Sequence, residues 1–219
     1  RPGSPAYRAT LAWWRERLAN ARRGTVPPCR RRRPLAGVDP MQGIRRHAID
    51  PDVMLRLEAA AMRADATPFM AGLAVFAATL AVEADLPEIV IGTYVANRSQ
   101  AALRGLVGFM TNLVTLRVAV DRAGSFLDLV AAVRACVAGA EAHAHIPYEI
   151  LREELRRQRV ELPEIGCIYQ MSSAHPPVQF GAARATMRAR QRQGMPWGLT
   201  VSPGQFLGAP HVSMLFDAG

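Results

Sequence analysis

Apolar residues in this chain switch between helical and alternating spacing several times, and those switches divide it into elements. In residues 4–20, Leu11, Trp14 and Leu18 recur at helical intervals within a polar stretch, which predicts an amphipathic helix. Residues 24–40, rich in Pro and Arg, read as an extended crossing segment. Asp50-Pro51 offers an N-cap with proline in the first turn, and Val53, Leu57 and Ala60 or Ala61 give one apolar stripe through about Ala64. Thr67-Pro68 repeats that device ahead of Phe69, Leu73, Phe76 and Leu80, while Ala74, Ala77 and Ala81 form a small face for close packing. Residues 88–96 are apolar almost without interruption, as expected of a strand covered on both faces. In residues 112–120 the pattern alternates: Val114, Leu116, Val118 and Val120 share one side, with Thr115 and Arg117 on the other. Ser125 and Asp128 are spaced as a capping box, opening a helix in which Phe126, Val130, Val133 and Val137 face inward and which ends near Ala144. Pro147 starts a further helix through Leu155, and 44–49, 165–171, 199–202 and 212–216 read as strands. Helices alternating with buried strands predict an α/β fold with a mixed sheet packed by helices.

Composition narrows the class. Half the residues are hydrophobic and neither Gly nor Pro is in excess, so the chain is globular rather than disordered. No apolar run reaches the length of a membrane span and no signal-peptide order opens the chain, so no membrane partner is expected. The net charge of +9 invites a nucleic-acid reading, but every cation other than His is Arg, with no Lys at all. Alongside abundant Ala, that bias fits GC-rich codons better than a phosphate-binding surface. Aromatic residues are too few for base stacking, and no nucleic acid is expected as a partner. The run Arg30 to Arg33 reads as solvated linker. Cys29, Cys136 and Cys167 are odd in number and widely spaced; neither a disulfide framework nor a CxxC metal pair emerges, which suits a reducing, cytoplasmic setting. The chain starts without Met and stops straight after a strand-like segment, so it reads as cut from a longer polypeptide.

Three segments carry a family resemblance: Ile91-Gly-Thr-Tyr-Val-Ala-Asn-Arg98, Gly108-Phe-Met-Thr-Asn-Leu-Val-Thr-Leu-Arg117, and His143-Ala-His-Ile-Pro-Tyr-Glu-Ile-Leu-Arg-Glu-Glu-Leu155. In order and spacing they resemble the IGTPVANR, GFFVNTLVLR and HQDLPFEKLVEEL segments in the second half of nonribosomal peptide synthetase condensation domains. Trp13-Trp14-Arg-Glu-Arg-Leu18 resembles the YWRxxL helix that leads into that half. The resemblance implies a chloramphenicol-acetyltransferase-like C-terminal lobe over residues 41–219, preceded by a lead-in helix and crossing segment over 1–40. It implies an N-terminal lobe as partner across a tunnel. Carrier proteins would present thioesters on phosphopantetheine, and no cofactor would be bound directly. In the family the amine of one substrate attacks the thioester of the other, assisted by the second His of an HHxxxDG signature. That signature is absent here, so no residue of this chain is assigned as catalytic. A degenerate module that docks a carrier or tailoring enzyme fits the same residues, as does an epimerising or ester-forming relative.

The resemblance marks Asn112 and Thr111 as substrate-binding candidates, since an amide near the tunnel can donate to a carbonyl or accept from an amine. An asparagine at a strand start also caps its own backbone, so a structural role stands beside the functional one. Asn97, Arg98, Gly108 and Pro147 are structural motif positions: Arg98 is placed to pair with a carboxylate and hold the loop after its strand, and Gly108 serves loop geometry. Tyr94 stands where relatives have Pro. His143 and His145 invite a metal, but no third ligand is evident and helix-end positions explain them better; no metal is expected. His47, His175 and His211 are isolated.

Overall fold

The computed structural model describes residues 3–21, 42–98, 103, 105–171, 178–185, 198–206 and 209–217. The expected crossing segment, the Arg30 to Arg33 run, Cys29 and His175 lie outside these residues. Helices begin where capping chemistry places them. The Ser4 side chain caps α1 (Pro5–Leu18), Asp50 caps α2 (Pro51–Arg63) and Thr67 caps α3 (Pro68–Glu83), each with proline in the first turn. Ser125 and Asp128 close a reciprocal capping box at the start of α4 (Phe126–Ala142). Pro147 is the N-cap residue of α5 (Tyr148–Arg157) and supplies no side-chain cap.

The strands are β1 (Gln42–Ala48), β2 (Glu88–Val95), β3 (Asn112–Ala119), β4 (Cys167–Tyr169), β5 (Val178–Phe180), β6 (Ala183–Ala185), β7 (Leu199–Phe206) and β8 (Ala209–Asp217). Six of them form one sheet in the order β1-β8-β7-β4-β2-β3, and β5 and β6 form a separate hairpin. The sheet is mixed because the short β4 runs parallel to both neighbours, with Gly92 opposite Ile168 and Ile168 opposite Thr200, while the other pairs are antiparallel. Helices α3 and α4 cover one face. Leu73, Ala74, Ala77 and Ala81 of α3 and Val130, Val133 and Val137 of α4 are buried against Ile89, Ile91, Leu116 and Val118. Burying each large aliphatic side chain of this kind contributes roughly 1.5–3 kcal/mol.

Small residues set the close approaches. A Cβ on Gly92 would lie 2.5 Å from the Ile168 side chain and 2.7 Å from Ile165, so glycine lets these isoleucines cover the strand's other face. A Cβ on Gly72 of α3 would lie 2.1 Å from the Tyr169 hydroxyl, which fixes how deeply that phenol enters between Phe69 and Phe76.

Two side chains depart from the expected inward stripes. Val53 and Phe126 are exposed, at 44% and 38%. Each falls in the first turn of its helix, where the chain has only begun to enter the packed layer. Thr115 is buried although it lies opposite the aliphatic row, because this strand is covered on both sides.

Candidate functional site

The loops at the carboxyl end of β2 and the amino end of β3 bring the sequence candidates together. The chain leaves β2 through Asn97, whose φ of +51° is a left-handed conformation that asparagine tolerates better than most residues. The guanidinium of Arg98 then donates to the carbonyls of Leu103 (2.9 Å), Leu106 (2.6 Å) and Gly108 (3.0 Å). The expected carboxylate partner is replaced by three backbone acceptors, a cage suited to five N–H donors in one plane. The loop is thereby fixed while its side chains face outward. Val107 is fully exposed, Phe109 is 90% exposed and Thr111 is also exposed.

Asn112 is the pivot. Its Nδ2 donates to the carbonyls of both Ala144 and Ile146 at 2.8 Å, and its Oδ1 accepts from the Tyr148 backbone N–H at 3.0 Å. Both amide hydrogens and one oxygen lone pair are therefore spent on the turn between α4 and α5 and on the open end of α5, which lacks a side-chain cap. The side chain is buried and holds the third family segment against the second. Gly108 and Pro147 take their places in the same two connections.

His143 and His145 sit in that turn, gripped from outside by α1. Trp14 Nε1 donates to the His143 carbonyl (3.0 Å), and Trp13 stacks on the His143 ring with centroids 4.3 Å apart and planes 3° apart. His143 Nδ1 lies 2.9 Å from the Gly139 carbonyl, and His145 Nε2 shares a hydrogen bond of 3.1 Å with Thr10 Oγ1. The two imidazoles thus have docking contacts of their own. Among the described residues no three His, Cys, Asp or Glu side chains assemble as metal ligands. Sequence reading missed this anchor. Its signal was the adjacent Trp13 and Trp14, of which only Trp14 lies on the apolar stripe.

At the other end of β3, Arg117 pairs with Glu88 at 2.7 Å and donates to the Arg17 and Ala19 carbonyls, while Arg17 donates to the Arg117 carbonyl. These bonds secure α1 along the edge of β3. Burial pushes the Tyr169 phenol far above its ordinary range, and burial with a lesser contribution from Glu149 raises Tyr148 against the opposing pull of Arg152. Neither phenol is poised for proton transfer near neutral pH.

The condensation-domain family model matches residues 2–200. The chain belongs to the condensation-domain family. It is 40% identical over 150 residues to phosphinothricin tripeptide synthetase PhsC of Streptomyces viridochromogenes, covering 68% of this chain and 14% of that protein. Enniatin synthetase of Fusarium oxysporum is 28% identical over 171 residues, covering 78% of this chain and 5% of that protein. Solved structures of condensation-type domains share the fold. The X-domain from teicoplanin biosynthesis superposes with a TM-score of 0.81 at 19% identity, over all of this chain and 50% of that one. The first condensation domain of the calcium-dependent antibiotic synthetase gives 0.74 at 22% identity, over 98% of this chain and 48% of that one. The mixed sheet under helices is therefore a chloramphenicol-acetyltransferase-like fold, and the chain spans about half the length of these solved domains.

Proposed function

We propose that these residues form the C-terminal lobe of a condensation domain that joins carrier-bound substrates through an amide bond in nonribosomal peptide synthesis. The observation that carries this reading is a family match over residues 2–200 by a chain that spans about half of the solved domains and lacks HHxxxDG. An N-terminal lobe supplies the base. In the reaction the acceptor amine attacks the donor thioester carbonyl, the C–N bond forms, the C–S bond breaks, and the amine's proton passes by way of the base to the departing phosphopantetheine thiolate. The present lobe contributes a wall. Arg98 and Asn112 are positioning residues: they hold the exposed 105–111 loop and the α4–α5 turn in fixed relation. Thr111, next to Asn112 and exposed, is the substrate-facing member of the pair.

The test combines the chain with an HHxxxDG-bearing N-terminal lobe and two loaded carrier proteins, with amide product followed by mass spectrometry. Product is expected only when both lobes are present; product from this chain alone refutes the division of labour. A second reading, a docking module without chemistry, draws on the X-domain, which has been solved in complex with OxyB from teicoplanin biosynthesis. Stable binding of a partner protein with no product from the paired lobes would favour it.

A further inference from the structure

The connection between β2 and β3 is built the wrong way round for a segment that meets only water. Residues 105–111, Gly-Leu-Val-Gly-Phe-Met-Thr, carry no charge, although charged residues make up 21% of the chain. Val107 and Phe109 are almost wholly exposed, and Leu106 is more than half exposed. A pliable loop could fold such side chains back onto the body. Here that route is closed, because Arg98 holds the carbonyls of Leu103, Leu106 and Gly108. Asn112, bonded to the α4–α5 turn, fixes the far end. The backbone is thereby committed to presenting its apolar side chains outward. A single exposed hydrophobic residue needs no explanation, but a contiguous group marks a surface that meets something.

Shape and charge restrict the occupant. Small molecules are held in concave sites, whereas side chains exposed to this degree project beyond their surroundings and enclose nothing. Projecting aromatic and aliphatic side chains are instead the anchors that fill a pocket on a protein partner. A strongly charged partner is not favoured, since the loop offers no charge and Arg98 spends its N–H groups on the chain's own carbonyls. The solved domains of this fold are about twice as long as the present chain, so a body of similar size has still to be seated against it. Thr111, the substrate-facing residue, follows Phe109 by two positions. A lobe anchored on this loop therefore lies beside the reacting groups.

We propose that Leu106, Val107 and Phe109 form the apolar anchor on which the N-terminal lobe seats, filling an uncharged socket on that lobe. The proposal rests on the two-lobe reading above and adds to it the surface that joins the halves at the channel. Arg98 then positions the base of the other lobe at a distance: by keeping the loop in one conformation, it spares the ordering cost that a flexible anchor incurs on binding.

The experiment measures association of this chain with a separately produced HHxxxDG-bearing lobe by isothermal titration calorimetry. Amide product from the same lobes with loaded carriers is read by mass spectrometry. Phe109→Ser and Val107→Ser are each expected to weaken association at least about tenfold, as truncation of an interface anchor does. Val82→Ser is the control: it removes an exposed apolar side chain from the last turn of α3, at the opposite end of β2, and should leave association unchanged. All three substitutions fall on exposed side chains, and amide spectra check that each variant is folded. Loop variants that associate as tightly as the unsubstituted chain would overturn the anchor, while product from the paired lobes would leave the two-lobe reading standing. No measurable association of the unsubstituted chain would also overturn the anchor, and absence of product besides would overturn both. Pairing of two copies of this chain that Phe109→Ser abolishes, with binding to the other lobe intact, would give the surface to self-assembly and likewise refute the proposal.

Discussion

Replacing Asn112 with alanine strands three backbone groups at once: the Ala144 and Ile146 carbonyls and the Tyr148 N–H. A buried polar group left without its partner costs about 1–3 kcal/mol, and water entering the space vacated by the amide re-satisfies part of the set. The expected loss is therefore about 3–5 kcal/mol, a large fraction of the roughly 5–15 kcal/mol that separates a native domain from its unfolded chain. Urea denaturation followed by tryptophan fluorescence is well placed to read it, because Trp13 and Trp14 both rest on this turn. With a slope of about 2–3 kcal/mol/M the midpoint should fall by roughly 1–2 M while the slope stays constant. A loss below about 1 kcal/mol would refute the assignment and return the amide to the pool of groups available to substrate. Asn112→Asp sharpens the test. One carboxylate oxygen still accepts from Tyr148, but the other meets two carbonyl oxygens, so the charged form is disfavoured and the native-state pKa rises above the unfolded value. Stability should therefore be greatest below the ordinary carboxylate range near pH 4 and should decline as pH climbs through the raised native value.

Three further outcomes are expected. Gly72→Ala places a methyl group against the Tyr169 hydroxyl and should cost about 1–3 kcal/mol. Tyr169→Phe, which removes a hydroxyl with no partner among the described residues, should be near neutral and should recover most of that loss in the double variant; a denaturation cycle showing no coupling would refute the contact. Hydrogen bonds from Ser125 hold the Asp128 carboxyl below its ordinary range, so the cap's contribution is present above that range and fades as pH falls through the depressed value. Ser125→Ala should move the Asp128 titration, followed by NMR, back toward that of a free aspartate. Arg98→Ala releases three carbonyls, and amide exchange across residues 105–109 should quicken by at least about tenfold, with exchange in β3 unchanged.

Elements with local signals were legible in the sequence. Ser-x-x-Asp, Asp-Pro and Thr-Pro fixed three helix starts because capping is settled within a few residues, and the unbroken apolar run at 88–96 marked a strand buried on both sides. Position along a helix was less legible. Val53 and Phe126 satisfy the stripe, yet spacing alone does not say where a helix enters the packed body. The β5–β6 hairpin went unseen because its three-residue strands are too short to show an alternation. Within the candidate site, the resemblance picked out Asn112, Arg98 and Gly108, which do meet around two neighbouring loops. It could not name their partners, because backbone carbonyls leave no trace in a residue pattern. The grip of Trp13, Trp14 and Thr10 on the histidine turn joins residues about 130 positions apart, a distance at which one sequence carries no pairing information.

The same five-residue connection is clasped from both flanks, by an indole and a hydroxyl on one side and by a carboxamide on the other. Polypeptide entering α1 is thereby mechanically tied to the first residue of β3. A displacement of α1 would be passed to the margin of the sheet and also to the last turn of α4, where Trp13 packs against Gly139 and the His143 ring bonds the Gly139 carbonyl.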